Sequence, residues 1–64
     1  MAELSICSAG PEMDVRIHHQ VAALGGVIQR VQLHPSHHEF FIAVPDDKLK
    51  TLFDWRATLL GLNF

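Results

Sequence analysis

The chain has 64 residues, with five lysines and arginines against seven aspartates and glutamates and a formal net charge of −2. That length sets the expectation of a single domain over residues 1–64, and the charge leaves no basic patch for nucleic acid. Apolar residues make up 48%, too many for disorder, yet no apolar run approaches the roughly 20 residues needed to span a bilayer.

Leu4-Ser5-Ile6-Cys7 alternates apolar and polar residues and predicts a first strand, broken by Ser8-Ala9-Gly10-Pro11. Pro11 suits the first turn of a helix, where its missing N–H costs nothing, and Glu12 and Asp14 oppose the helix dipole favourably there. Ile17, Val21 and Leu24, with Met13 one turn earlier, recur at helical spacing. Gly25-Gly26 stops the helix, since a glycine readily takes the left-handed position after the last turn.

Val27 to Leu33 predicts a second strand, with Val27, Val31 and Leu33 on one face and Ile28, Arg30 and Gln32 on the other. Glu39 to Val44 predicts a third, with Phe40, Ile42 and Val44 on one side. The short connection His34-Pro35-Ser36-His37-His38 makes the two an antiparallel hairpin. Asp46 is expected to cap a last helix, whose apolar stripe takes in Leu49, Leu52, Phe53, Ala57, Leu59 and Leu60, with Trp55 at its edge and Gly61 as its stop.

This order, β-α-β-β-α, is an α+β plan: an antiparallel three-stranded sheet with two helices on one face. It corresponds to the ferredoxin-like split βαβ arrangement lacking the fourth strand. Without that strand, Leu4–Cys7 becomes an edge carrying no lysine or proline to blunt it. Leu4, Ser5, Ile6 and Cys7 are therefore candidate partner-binding residues, for a protein, a peptide or a second copy of the chain. Phe40 and Phe41 must face opposite ways, which puts one of them on the open face. Phe41, outside the Phe40 stripe, joins the candidate surface, with Ile28 and Arg30 expected beside it.

Chemistry-bearing residues are few. Five histidines stand out, three of them as His34-x-x-His37-His38. Imidazole is the commonest metal ligand, so His34, His37 and His38 are the candidate ligands for zinc, nickel or copper; the competing reading is a solvated turn, with no cofactor. His18 and His19 are adjacent on a helix and point about 100° apart, too far to share an ion. Cys7, the single cysteine, fits a reducing compartment and reads as a small buried hydrophobe in preference to a nucleophile. Gly25-Gly26 follows a helix instead of preceding one and is no phosphate loop. No nucleophile, base and orienting group form a set, so no enzyme is expected. With no basic leader ahead of Glu3, the cytoplasm is the expected location.

Several landmarks resemble a known family. Ile6-Cys7-Ser8 on the first strand, the Pro11-Glu12 helix start, Gln20 within that helix, Gly26 before the second strand and His34-Pro35-Ser36 at the hairpin are similar to the NapD family, small cytoplasmic chaperones of periplasmic nitrate reductase. The resemblance implies a non-enzymatic protein that binds a twin-arginine signal peptide and holds back export. Gly25-Gly26 ahead of the second strand also resembles ACT domains, which would imply a regulatory module holding a small ligand, often an amino acid, between paired copies.

Overall fold

The third strand lies at the centre of the sheet. A computed structural model describes residues 1–59 as β1 (Ala2–Ser8), α1 (Pro11–Ala23), β2 (Val27–Leu33), β3 (His38–Val44), a 3₁₀ turn (Asp46–Lys48) and α2 (Leu49–Leu59). The strand order is β1-β3-β2, and both outer strands run antiparallel to β3. β1 and β2 are thus parallel to each other, with β3 inserted between them, which is the split βαβ arrangement. No fourth strand is present among the described residues, and β1 is an edge. No helix among them is long and apolar enough to cross a membrane.

Both helices cover the same sheet face. Ile6 of β1, Phe40, Ile42 and Val44 of β3, Ile17 and Val21 of α1 and Leu52 of α2 form one buried cluster. Leu4, Met13, Leu24, Leu49, Trp55 and Leu59 pack around it. The α1 stripe thus follows the spacing of its apolar residues, four apart at Met13, Ile17 and Val21.

α1 ends in a Schellman motif. The N–H of Gly26 donates to the Val21 carbonyl at 2.9 Å, and that of Gly25 to the Ala22 carbonyl at 3.1 Å. Gly25 has φ +72°, the left-handed conformation that motif demands. Gly26 is needed for a different reason. A Cβ there would stand 2.6 Å from Val44 Cγ1 and 2.8 Å from the Ala43 carbonyl oxygen, so the chain enters β2 directly against β3.

Three expectations need correction. The faces of β2 do not alternate throughout, because the register with β3 shifts between Ile28 and Arg30 and leaves Gln29 as an extra residue. Ile28 pairs with Ile42 and Val31 with Phe40, on the helix side; Val27 pairs with Ala43 and Arg30 with Phe41, on the open side. Ile28 therefore joins the core, and only Arg30 lies beside Phe41. The second correction is Asp46, which begins the 3₁₀ turn and makes no side-chain capping bond; Pro45 occupies the position before it. The third is Phe53, which stands 49% exposed, one residue and so about 100° round the helix from buried Leu52. Leu60 and the stop at Gly61 lie outside the described residues.

Candidate partner-binding site

Register decides what each residue of the first strand can offer. Leu4 is opposite Ile42 and Ile6 opposite Phe40, so both side chains point into the core. Ser5 is opposite Phe41 and Cys7 opposite Glu39, so these side chains stand together on the open face; Cys7 is exposed there and not buried as expected, because its register puts it on the side the helices leave uncovered. Leu4 and Ile6 can contribute packing to the strand, but a partner would meet Ser5, Cys7 and Phe41. Arg30 comes from the other side, its guanidinium carbon 4.1 Å from the Phe41 ring centroid. Cation and ring attract, and the arginine shields the phenylalanine from water.

Backbone direction follows from two hydrogen bonds. Arg56 Nη1 donates to the Ser5 carbonyl at 3.0 Å, reaching it from α2. That carbonyl therefore points away from β3, and by the alternation of an antiparallel ladder so do the N–H and C=O groups of Glu3 and Cys7. On the other side of β3, the His34 N–H donates to the His37 carbonyl at 2.9 Å, closing the hairpin. The two observations agree in phase: Phe41 turns its backbone to Arg30, Gln32 turns to Glu39, and Val31 and Leu33 turn outward.

Arg56 was not foreseen as a functional residue. The signal is nevertheless in the sequence, because positions 49, 52, 56 and 59 form the inward stripe of α2 and position 56 alone is charged. A cation on a buried stripe requires an acceptor, and the edge carbonyl of Ser5 supplies it. The ring of Phe53 lies 4.7 Å from the Arg56 guanidinium carbon and braces it.

The histidines separate into two groups. His34 and His37 stack with ring centroids 4.5 Å apart and planes 16° from parallel. His34 Nε2 lies 3.3 Å from Glu39 Oε1, and His37 Nδ1 3.0 Å from the Ser36 hydroxyl. His38 turns instead to the helix side, where its Nδ1 lies 3.1 Å from Asp14 Oδ2. Among the described residues, no three His, Cys, Asp or Glu side chains are grouped to hold a metal ion.

Asp14 is the hub of that helix-side group. Buried Ser8 donates its hydroxyl to the other carboxylate oxygen, so Asp14 ties the end of β1 and the start of β3 to the first turn of α1. The Ser8 hydroxyl is the largest influence holding the Asp14 carboxyl below its ordinary pKa; partial burial opposes it, and His38 and then His18 add to the lowering. The sequence of contacts is hydroxyl, carboxylate, imidazole. In a nucleophilic relay the imidazole must stand next to the hydroxyl to take its proton, and here the carboxylate separates them.

An open groove of about 670 Å³ runs along α1 and the end of α2, lined in part by Pro11, Met13, Arg16 and Leu59. It lies on the helix layer, beside Ala9 and Gly10 where the chain leaves β1, and Glu12 and Arg16 are its charged lining.

Set against known proteins, the chain matches no family model, no curated protein and no solved structure.

Proposed function

We propose that this domain is a non-enzymatic interaction module of the cytoplasm that takes an extended segment of a protein partner along the free edge of β1. The observation that carries the reading is the strand order β1-β3-β2, which leaves the backbone groups of Glu3, Ser5 and Cys7 directed outward with one of their carbonyls held by Arg56. Strand addition at such an edge draws affinity from main-chain hydrogen bonds and selectivity from alternate side chains. Ser5 and Cys7 provide the second next to the incoming strand, with Phe41 one strand further in on the same open face. Glu3 of β1, Glu39 of β3 and Arg30 of β2 share this face, so it carries charges of both signs for a partner to meet. The resemblance to twin-arginine signal-peptide chaperones supplies the class of peptide to test.

The test is fluorescence anisotropy with a panel of labelled twin-arginine signal peptides, on the intact chain and on Ser5→Pro. The Ser5 N–H points outward, so proline there removes a donor from the edge and leaves the ladder to β3 in place. Saturable binding that Ser5→Pro weakens at least about tenfold, a difference of roughly 1.4 kcal/mol, supports the reading. Absence of binding across the panel, or binding indifferent to Ser5→Pro, overturns it.

A further inference from the structure

The second edge of the sheet has a different character. β1 is braced by Arg56, whereas no side chain among the described residues hydrogen-bonds to the backbone of β2 between Arg30 and Leu33. The two residues whose backbone groups turn outward there, Val31 and Leu33, also carry exposed apolar side chains, at 40% and 71%. Both sit on the helix side of the sheet, opposite Phe40 and His38, beyond the cover of α1 and α2. No lysine or proline interrupts residues 31–33, so this stretch, beyond the bulge at Gln29 and the charge of Arg30, is left unblunted.

We propose that this β2 edge pairs with the β2 edge of a second copy of the chain, antiparallel about a two-fold axis through Gln32. Two-fold pairing with the axis normal to the sheet keeps each face on its own side, so a residue must oppose one of the same orientation. Centred on Gln32, the register sets Val31 opposite Leu33 of the second copy, and Leu33 opposite its Val31. Both are outward-turned residues, so each pair exchanges two backbone hydrogen bonds and buries two apolar side chains against each other. Arg30, the one charged residue of β2, falls opposite His34 of the second copy, whose far side rests on Glu39, so no like charges of Lys, Arg, Asp or Glu are brought face to face. The bulge at Gln29 and the proline at 35 end the pairing on either side.

The product is a continuous six-stranded sheet with four helices on one face and the two open faces side by side. The β1 edges remain at its ends, free for the peptide proposed above, and the two readings stand independently. Because the pairing spans few residues, the dimer belongs with small, transient interfaces and forms reversibly.

Sedimentation equilibrium from micromolar to millimolar chain tests this. The wild type shows a monomer–dimer equilibrium. Val31→Lys with Leu33→Lys sets lysine against lysine and weakens dimerisation by at least about tenfold. Val31→Lys with Leu33→Glu sets lysine against glutamate in the Gln32-centred register and restores dimerisation to within about threefold of wild type. In a register centred on Val31, that same variant would oppose lysine to lysine and stay monomeric. Ser5→Pro leaves the dimer unchanged. Circular dichroism checks folding; should the double lysine variant unfold, Val31→Thr with Leu33→Thr weakens the dimer while keeping strand-forming side chains. A monomer at millimolar concentration, a dimer indifferent to the lysines, failure of the lysine–glutamate variant, or loss of the dimer in Ser5→Pro each overturns the proposal. Loss of peptide binding in Ser5→Pro with an intact dimer upholds both readings, and the converse pattern separates them.

Discussion

Arg56 and Ser5 lie 51 positions apart in the chain and meet through a 3.0 Å hydrogen bond from a guanidinium to an edge carbonyl. The arginine leaves α2 on the side of its buried stripe, passes the Phe53 ring and ends at the outer rim of β1. One contact thus anchors the last helix to the first strand and occupies one of the backbone acceptors that a partner strand would use. The two roles oppose each other.

Replacing Arg56 with alanine separates those roles. Loss of a hydrogen bond from a half-buried charged donor is expected to cost about 1 kcal/mol, which lowers the melting temperature by about 4–8 °C for a domain of this size. The same change frees the Ser5 carbonyl, so a peptide that adds to β1 binds more tightly to the less stable protein. Thermal denaturation and anisotropy measured on one preparation check both. A variant that is destabilised and binds peptide more weakly would show that Arg56 contacts the partner instead of guarding the edge.

Acid sensitivity should trace to Asp14. Its carboxyl pKa is lowered in the folded state, chiefly by the Ser8 hydroxyl, with burial opposing and His38 and His18 assisting. A depressed folded pKa means that ionised Asp14 contributes stability above the ordinary value of 3.8, and that this contribution is lost as pH falls from there through the lower folded value. Asp14→Asn should therefore be less stable than wild type at neutral pH and should show a flatter stability profile below about pH 4. Ser8→Ala, which removes the leading cause and a buried hydrogen bond, is expected to cost about 2 kcal/mol and to flatten the same part of the curve. Urea midpoints across the acid range measure this, and identical profiles for wild type and Asp14→Asn would refute it.

The two neighbouring glycines should respond unequally to alanine. At Gly25 the penalty is conformational, since φ +72° is a region that side-chain-bearing residues rarely adopt, and open space surrounds the added carbon. That costs about 1 kcal/mol. At Gly26 the added carbon meets Val44, the Ala43 carbonyl and Val21 Cγ1 at 3.2 Å, so strand and helix must move apart. Overpacking of this kind costs about 1–3 kcal/mol, and the larger loss should fall on Gly26→Ala. Equal urea midpoints for the two variants would mean that the β2 entry is looser than its distances indicate.

The parts of this fold legible in the sequence are those set by local chemistry. Pro11 and the pair Gly25-Gly26 bound α1 because a ring without an N–H and a residue without a Cβ have few other places to go. The element order and the open edge of β1 followed from counting strands. What escaped was set by tertiary packing. The bulge at Gln29 flips the faces of β2 without any glycine to announce it, and so Ile28 was assigned to the wrong side. Asp46 has the chemistry of a cap, but Pro45 and a 3₁₀ turn precede α2 and leave it no helix N–H to accept from. At the candidate site, the outward turn of Ser5 and of Phe41 follows from period-two alternation, whereas Cys7, expected buried, is exposed, and Arg56 reaches Ser5 only once α2 is folded back over β1.

The hairpin histidines yield the last prediction. Stacked rings hold their in-plane nitrogen lone pairs side by side, and a zinc ion needs each ligand nitrogen at about 2.0–2.1 Å with the lone pairs converging. His34 and His37 would have to unstack, and His34 would have to leave Glu39, before both could bind one ion. His38 faces the opposite side of the sheet from a pair drawn toward Glu39 and is held by Asp14. Titration calorimetry with zinc, nickel and copper should accordingly give no more than millimolar affinity in the wild type, reduced by His37→Ala and unchanged by His38→Ala. The second variant should instead lower thermal stability, because it removes a partner of Asp14. Micromolar binding that His38→Ala abolishes would require a hairpin arrangement in which all three imidazoles converge, and would restore a metal site to the loop.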